Sequence, residues 1–108
     1  MFTVKTFDSE GFCGYKQITT FFEDFSIADH FGKSAIVDTF NRAFKEWKSN
    51  YKYLTELVMV LNWKAWEHDA DSNKSLCELY ISLYEKADSY AVNNLKGDEL
   101  SYFFRTTD

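Results

Sequence analysis

Residues 53–68 read YLTELVMVLNWKAWEH, and the spacing of their apolar positions decides the fold. At about 100° per residue, Leu54, Leu57, Val58, Leu61 and Ala65 share one helical face, while Met59, Trp63 and Trp66 form a second face nearly opposite. A helix that is apolar on two sides belongs at the centre of a domain. The second face is expected to be covered by neighbouring helices, because two tryptophans side by side are costly to leave in water. Left exposed, the same pair would be a protein-binding patch flanked by Glu67.

The segments on either side supply the neighbours. From about Ser34 to Asn50, Ile36, Val37, Phe40, Ala43, Phe44 and Trp47 fall on one arc and Asp38, Arg42, Lys45, Glu46 and Ser49 outside it, which predicts an amphipathic surface helix. After the small polar run Asp69 to Asn73, Ser75 and Glu78 make a capping box. Leu76, Leu79, Tyr80, Leu83, Ala87, Tyr90 and Ala91 then share the inner face of a helix ending near Leu95, with Gly97 as its stop. Thr20 and Glu23 make another capping box, so a first helix is predicted between Thr20 and a left-handed stop at Gly32. Upstream, residues 1–18 read as a short strand, a turn at Asp8 to Gly11 and a second extended piece. The tail from Asp98 carries Leu100, Tyr102, Phe103 and Phe104 and is expected to dock as a short helix or extended segment. The predicted fold class is mainly α: one domain over 1–108, a compact bundle of about four helices (19–108) with an N-terminal β-hairpin or extended appendage (1–18) and a docked tail.

Composition bounds the function. Eleven Phe, seven Tyr and three Trp in 108 residues supply the dense core that so short a chain needs. A net charge of −5 argues against general attraction to phosphate or anionic lipid. Two cysteines and no proline argue against a disulfide scaffold, no apolar run approaches a bilayer span, and no signal peptide is visible, so the expected location is cytoplasmic, with no membrane partner. Acidity lies toward the ends: residues 33–68 carry six basic and four acidic groups, whereas both flanking segments are net acidic. Arg42, Lys45, Lys48 and Lys52 do not make the clustered footprint of nucleic-acid binding, Glu46 lying among them, so no direct nucleic acid is expected.

Catalytic chemistry is thin. Asp69, Asp71, Asn73 and Ser75 alternate as calcium-loop ligands would, but Lys74 stands where the loop needs Gly and Tyr80 where it needs a bidentate Glu. His30 and His68 have acidic sequence neighbours that cannot face them on a helix, and two His with two Cys show no zinc spacing. Cys77 reads as an inert helix thiol and Cys13 as a loop thiol beside Gly14. The expectation is a protein that is not an enzyme, with no catalytic residue, cofactor or metal.

Three stretches carry a resemblance: Thr20 to Gly32, FKEW at 44–47 running into NYKYLTELVMVLNWK at 50–64, and NLKGDELSYFFRTTD at 94–108. They resemble small acidic proteins carried by phages and conjugative elements of gut bacteria. That resemblance implies an accessory protein that inhibits a host defence or regulatory protein. The leading expectation is therefore an anti-CRISPR-like binding protein that occludes a host nuclease or nucleic-acid-binding protein, its carboxylates imitating phosphate charge. The candidate partner-binding residues are Glu23, Asp24, Asp29, Asp69, Asp71, Glu78, Glu85, Asp98 and Glu99, with Trp63 and Trp66 as aromatic anchors. The alternatives are a self-associating structural module, such as a homodimer, and a small metal- or thiol-dependent protein built on Cys13, the histidines or the Asp69 loop.

Overall fold

The computed structural model describes residues 14–107, with side chains from residue 21 onward. They form five helices: α1 (Gly14–Asp29), α2 (Lys33–Trp47), α3 (Tyr51–Ala70), α4 (Lys74–Asn94) and α5 (Asp98–Thr107). The N-terminal hairpin expected over 1–18 lies outside the described residues as far as residue 13. From Gly14 onward the backbone is already helical, so Thr20 is a helix-interior residue and not a cap. The tail is a helix, α5.

Local chemistry fixes the joints. The Asn50 side chain accepts from the backbone N–H groups of Lys52 and Tyr53 at 3.1 and 3.2 Å and so starts α3. Between α3 and α4, the Ser72 N–H reaches the Asp69 carbonyl and the Asn73 N–H reaches the His68 carbonyl. These are the paired bonds of a left-handed helix end, with Ser72 at φ 60°. Asn73 then caps α4 through Leu76 N–H at 3.2 Å. The predicted capping box at Ser75 is corrected by this bond, since an equally good cap residue lies two positions earlier and draws the helix start to Lys74. Gly32, at φ 103°, turns the chain between α1 and α2 in a conformation that a Cβ would strain.

Side-chain pairings give the topology. Ser26 and Asp29 of α1 meet Lys64 and His68 of α3 in rising order, so these two helices run the same way. Phe40 and Phe44 of α2 meet Lys86 and Tyr90 of α4 in the same manner. The result is an up-down-up-down bundle. Helix α5 packs on α3, with Tyr102 edge-on to Tyr51 at 5.3 Å, Phe103 buried, and Thr107 lining one groove with Val58.

Helix α3 is the central stave, in contact with each of the other four described helices. Every residue from Leu54 to Val58 is buried, and Leu57 and Leu61 join Phe25, Ile36, Phe40, Tyr80, Ala87 and Phe103 in one core. Each fully buried large apolar side chain contributes roughly 1.5–3 kcal/mol. The second face of α3 behaves otherwise. Met59 is half-buried, but Trp63 is 39% and Trp66 73% exposed, so the expectation that this face is packed is corrected. Thr107 of α5 reaches the rim of the groove that Trp63 and Trp66 line, and the groove stays open to solvent along that face.

Candidate functional site

Two features carry polar or exposed chemistry, one inside the bundle and one on its surface. Inside, Asp29 at the last residue of α1 gathers three donors. Its Oδ2 meets Lys64 Nζ at 2.8 Å and His68 Nε2 at 3.1 Å, and its Oδ1 accepts from the Tyr80 hydroxyl at 2.6 Å. A carboxylate at a helix C-terminus opposes the helix dipole, and these donors offset that penalty. Lys64, whose side chain is only 2% exposed, also pairs with Glu67 Oε1 at 2.7 Å and lies 3.3 Å from Ser26 Oγ. Its ammonium sits 5.1 Å from the centre of the Phe22 ring. The His68 ring stacks on Tyr80 at 5.4 Å, and Phe25 meets Tyr80 edge-on at 5.8 Å.

These groups form a clamp that ties α1 to α3 and α4. Burial holds the Tyr80 hydroxyl far above its ordinary range, and its bond to the Asp29 carboxylate and the charges of Asp29 and Glu67 act in the same direction. The phenol therefore keeps its proton and donates a hydrogen bond to Asp29. Among the described residues, no hydroxyl or thiol nucleophile is hydrogen-bonded to His68, whose partner is Asp29. Lys64 is engaged by two carboxylates. The His68–Asp29 pairing was hidden from the sequence because it spans 39 residues, while the carboxylates next to His68 in sequence point elsewhere.

A second buried carboxyl stands apart. Glu56 on α3 is fully buried, and among the described residues neither of its carboxyl oxygens has a hydrogen-bond partner. Burial pushes its pKa up to about 8, with Lys52 one turn away partly opposing the rise. Burial also raises Asp88 on α4.

On the surface, Val58, Met59, Asn62, Trp63, Trp66, Tyr84 and Thr107 line an open groove of about 270 Å³ between α3, α4 and the end of α5. Trp66 is the more exposed of its two tryptophans. A second apolar exposure, which the sequence reading placed inside the first helix, is Ile27 with Phe31 at the α1–α2 corner, Phe31 being 76% exposed. Its position just before the Gly32 turn was the available signal.

The predicted acidic residues fall into separate places. Glu23 and Asp24 are exposed on α1, and Glu78 and Glu85 on α4. Asp69 and Asp71 are exposed at the tip joining α3 to α4. Asp98 and Glu99 open α5 at the far end of α4, whose 21 residues span about 30 Å, so they do not join the tip. Their place in the first turn of α5 has its own reason in the helix dipole. Asp29 is withdrawn from the list of surface contacts, because the clamp occupies both its oxygens.

The metal alternative finds Asn73 already engaged as a helix cap, and among the described residues no three His, Cys, Asp or Glu side chains converge around a common point. Cys77 is a free, half-buried thiol, His30 is exposed, and Cys13 lies outside the described residues. Among the described residues no helix is long and apolar enough to cross a membrane. Compared with known proteins, the chain matches no protein family, no curated protein and no solved structure.

Proposed function

We propose that this chain is a small, acidic, non-enzymatic binding protein that covers a basic, nucleic-acid-binding surface of another protein. An inhibitor of host defence carried by a mobile element is one instance of that role. The observation that carries the reading is Trp66, 73% exposed beside Trp63 over an open groove. A large indole left in water is the kind of side chain that anchors protein interfaces. The net charge of −5 supports the choice of partner, because carboxylates on a rigid helical frame steer toward a basic groove and repel nucleic acid itself.

The test is competition. The immobilised chain is offered a gut-bacterial lysate at low and moderate salt, and each retained protein is purified and assayed for nucleic-acid binding with and without the chain. The expected result is a partner whose nucleic-acid binding the chain abolishes, with Trp66→Ala weakening the complex by about 30-fold, as removal of an aromatic hot spot does. A partner that holds nucleic acid and the chain together, or no partner at either salt, overturns the reading. Self-association is the competing reading of the same groove, and light scattering on the chain alone separates the two.

A further inference from the structure

We propose that Trp66 and Asp69 together form a recognition site for an arginine side chain presented by a protein segment. The inference rests on the occlusion reading above and names the chemistry of its central contact. Trp66 and Asp69 are three residues apart on α3, hence neighbours on the helix surface about 5–6 Å apart at Cβ, and both are exposed. The indole offers a flat face of negative potential, and the carboxylate lies about one turn further along the same side of the helix. A guanidinium fits both demands at once: its plane stacks on the ring while its forked N–H groups meet the two carboxylate oxygens. A lysine ammonium, a point charge, cannot do both equally well.

Charge around the ring points to the same ligand. Asp69, Asp71 and Glu78 surround the tip with Lys74 as the basic residue among them, so the local field is negative. Lys64, the nearest basic residue preceding Trp66 on α3, is buried in the Asp29 clamp. The cations that lie over aromatic rings, Lys48, Lys64 and Lys86, sit over Phe44, Tyr90, Phe22 and Phe40; among the described residues no cation lies over Trp66.

The experiment uses the full chain, ¹⁵N-labelled, titrated with acetyl-Gly-Arg-Gly-Arg-Gly-amide and with its lysine counterpart of equal charge. The readout is the indole N–H signal of Trp66, assigned by its loss in Trp66→Phe. The arginine peptide is expected to move that signal saturably and to bind about fivefold more tightly than the lysine peptide. Asp69→Asn is expected to weaken the arginine peptide by about twofold to fivefold without lowering the melting temperature. Equal affinity for the two peptides overturns the site, as does a Trp66 signal that does not move or an Asp69→Asn variant that binds as tightly as the parent. A homodimer that buries Trp66 in sedimentation experiments overturns it as well. The two readings fail separately. If the chain displaces nucleic acid from its partner while Trp66→Ala and Asp69→Asn do so equally well, the arginine site falls and occlusion stands. Arginine-selective binding without displacement supports the site and removes occlusion.

Discussion

Replacing Glu56 by Leu should make the protein more stable, by an amount that depends on pH. The carboxyl is fully buried, and among the described residues both of its oxygens lack a hydrogen-bond partner. Its pKa rises from 4.5 in the unfolded chain to about 8 in the fold, so the folded state binds the proton more tightly. Stability is therefore full below the unfolded value, falls by about 1.4 kcal/mol per pH unit as the pH climbs toward 8, and levels off above it. The whole loss amounts to about 5 kcal/mol, comparable with the entire stability of a small domain, roughly 5–15 kcal/mol. Leu at this position is uncharged at every pH and of similar size. Urea denaturation of parent and variant in parallel from about pH 5 to pH 8.5 isolates the group, because every other titrating residue is common to both. The variant's advantage should grow by about 4 kcal/mol over that range. A difference that stays constant with pH would refute the reasoning, by showing that the Glu56 carboxylate is solvated or paired when ionised.

Asp29→Ala should cost about 3–5 kcal/mol in urea denaturation, because it strips the buried Lys64 of one of its two carboxylates and leaves the Tyr80 hydroxyl without its acceptor. Lys64→Met, which leaves Asp29 two donors, should cost less, and Tyr80→Phe about 1–2 kcal/mol. Asn73→Ala should lower stability by about 1 kcal/mol and Ser75→Ala by almost nothing, a comparison of two melting curves that identifies the real cap of α4. Ser72→Gly should raise stability by about 0.5–1 kcal/mol in the same measurement, because Ser72 holds a left-handed backbone at φ 60°.

The helices were legible in the sequence because each has a repeating apolar arc that survives in the fold. Every residue of the arc from Ile36 to Trp47 is buried or half-buried, as is the inner arc of α4 from Leu76 to Ala91. Helix starts were less legible, since several residues can cap and the choice is made by what lies upstream. Thr20 lost its role to a helix already begun, and Ser75 to Asn73. The clamp was illegible for a different reason: Asp29, Lys64, His68 and Tyr80 come from three helices, and periodicity within one helix says nothing of which residues meet across helices. Glu56 sits in a stretch where every neighbour from Leu54 to Val58 is buried, yet its own type predicted exposure. Trp66 was placed on the correct face of α3, but periodicity within one helix does not say how much of that face its neighbours cover.

The Asp29 clamp also implies an order of assembly. Helices α3 and α4 are joined by a tight turn whose backbone bonds close within a few residues, so their hairpin can form by local search. The bonds that fasten α1 to them link residues from 35 (Asp29 with Lys64) to 55 (Phe25 with Tyr80) positions apart and require a long loop to close first. Helix α1 is then the last stave to lock and the first to detach, and amide exchange should show it opening as a unit ahead of the α3–α4 hairpin. Trp66 and Asp69 lie on that hairpin, so the surface proposed to meet a partner would keep its shape through such openings.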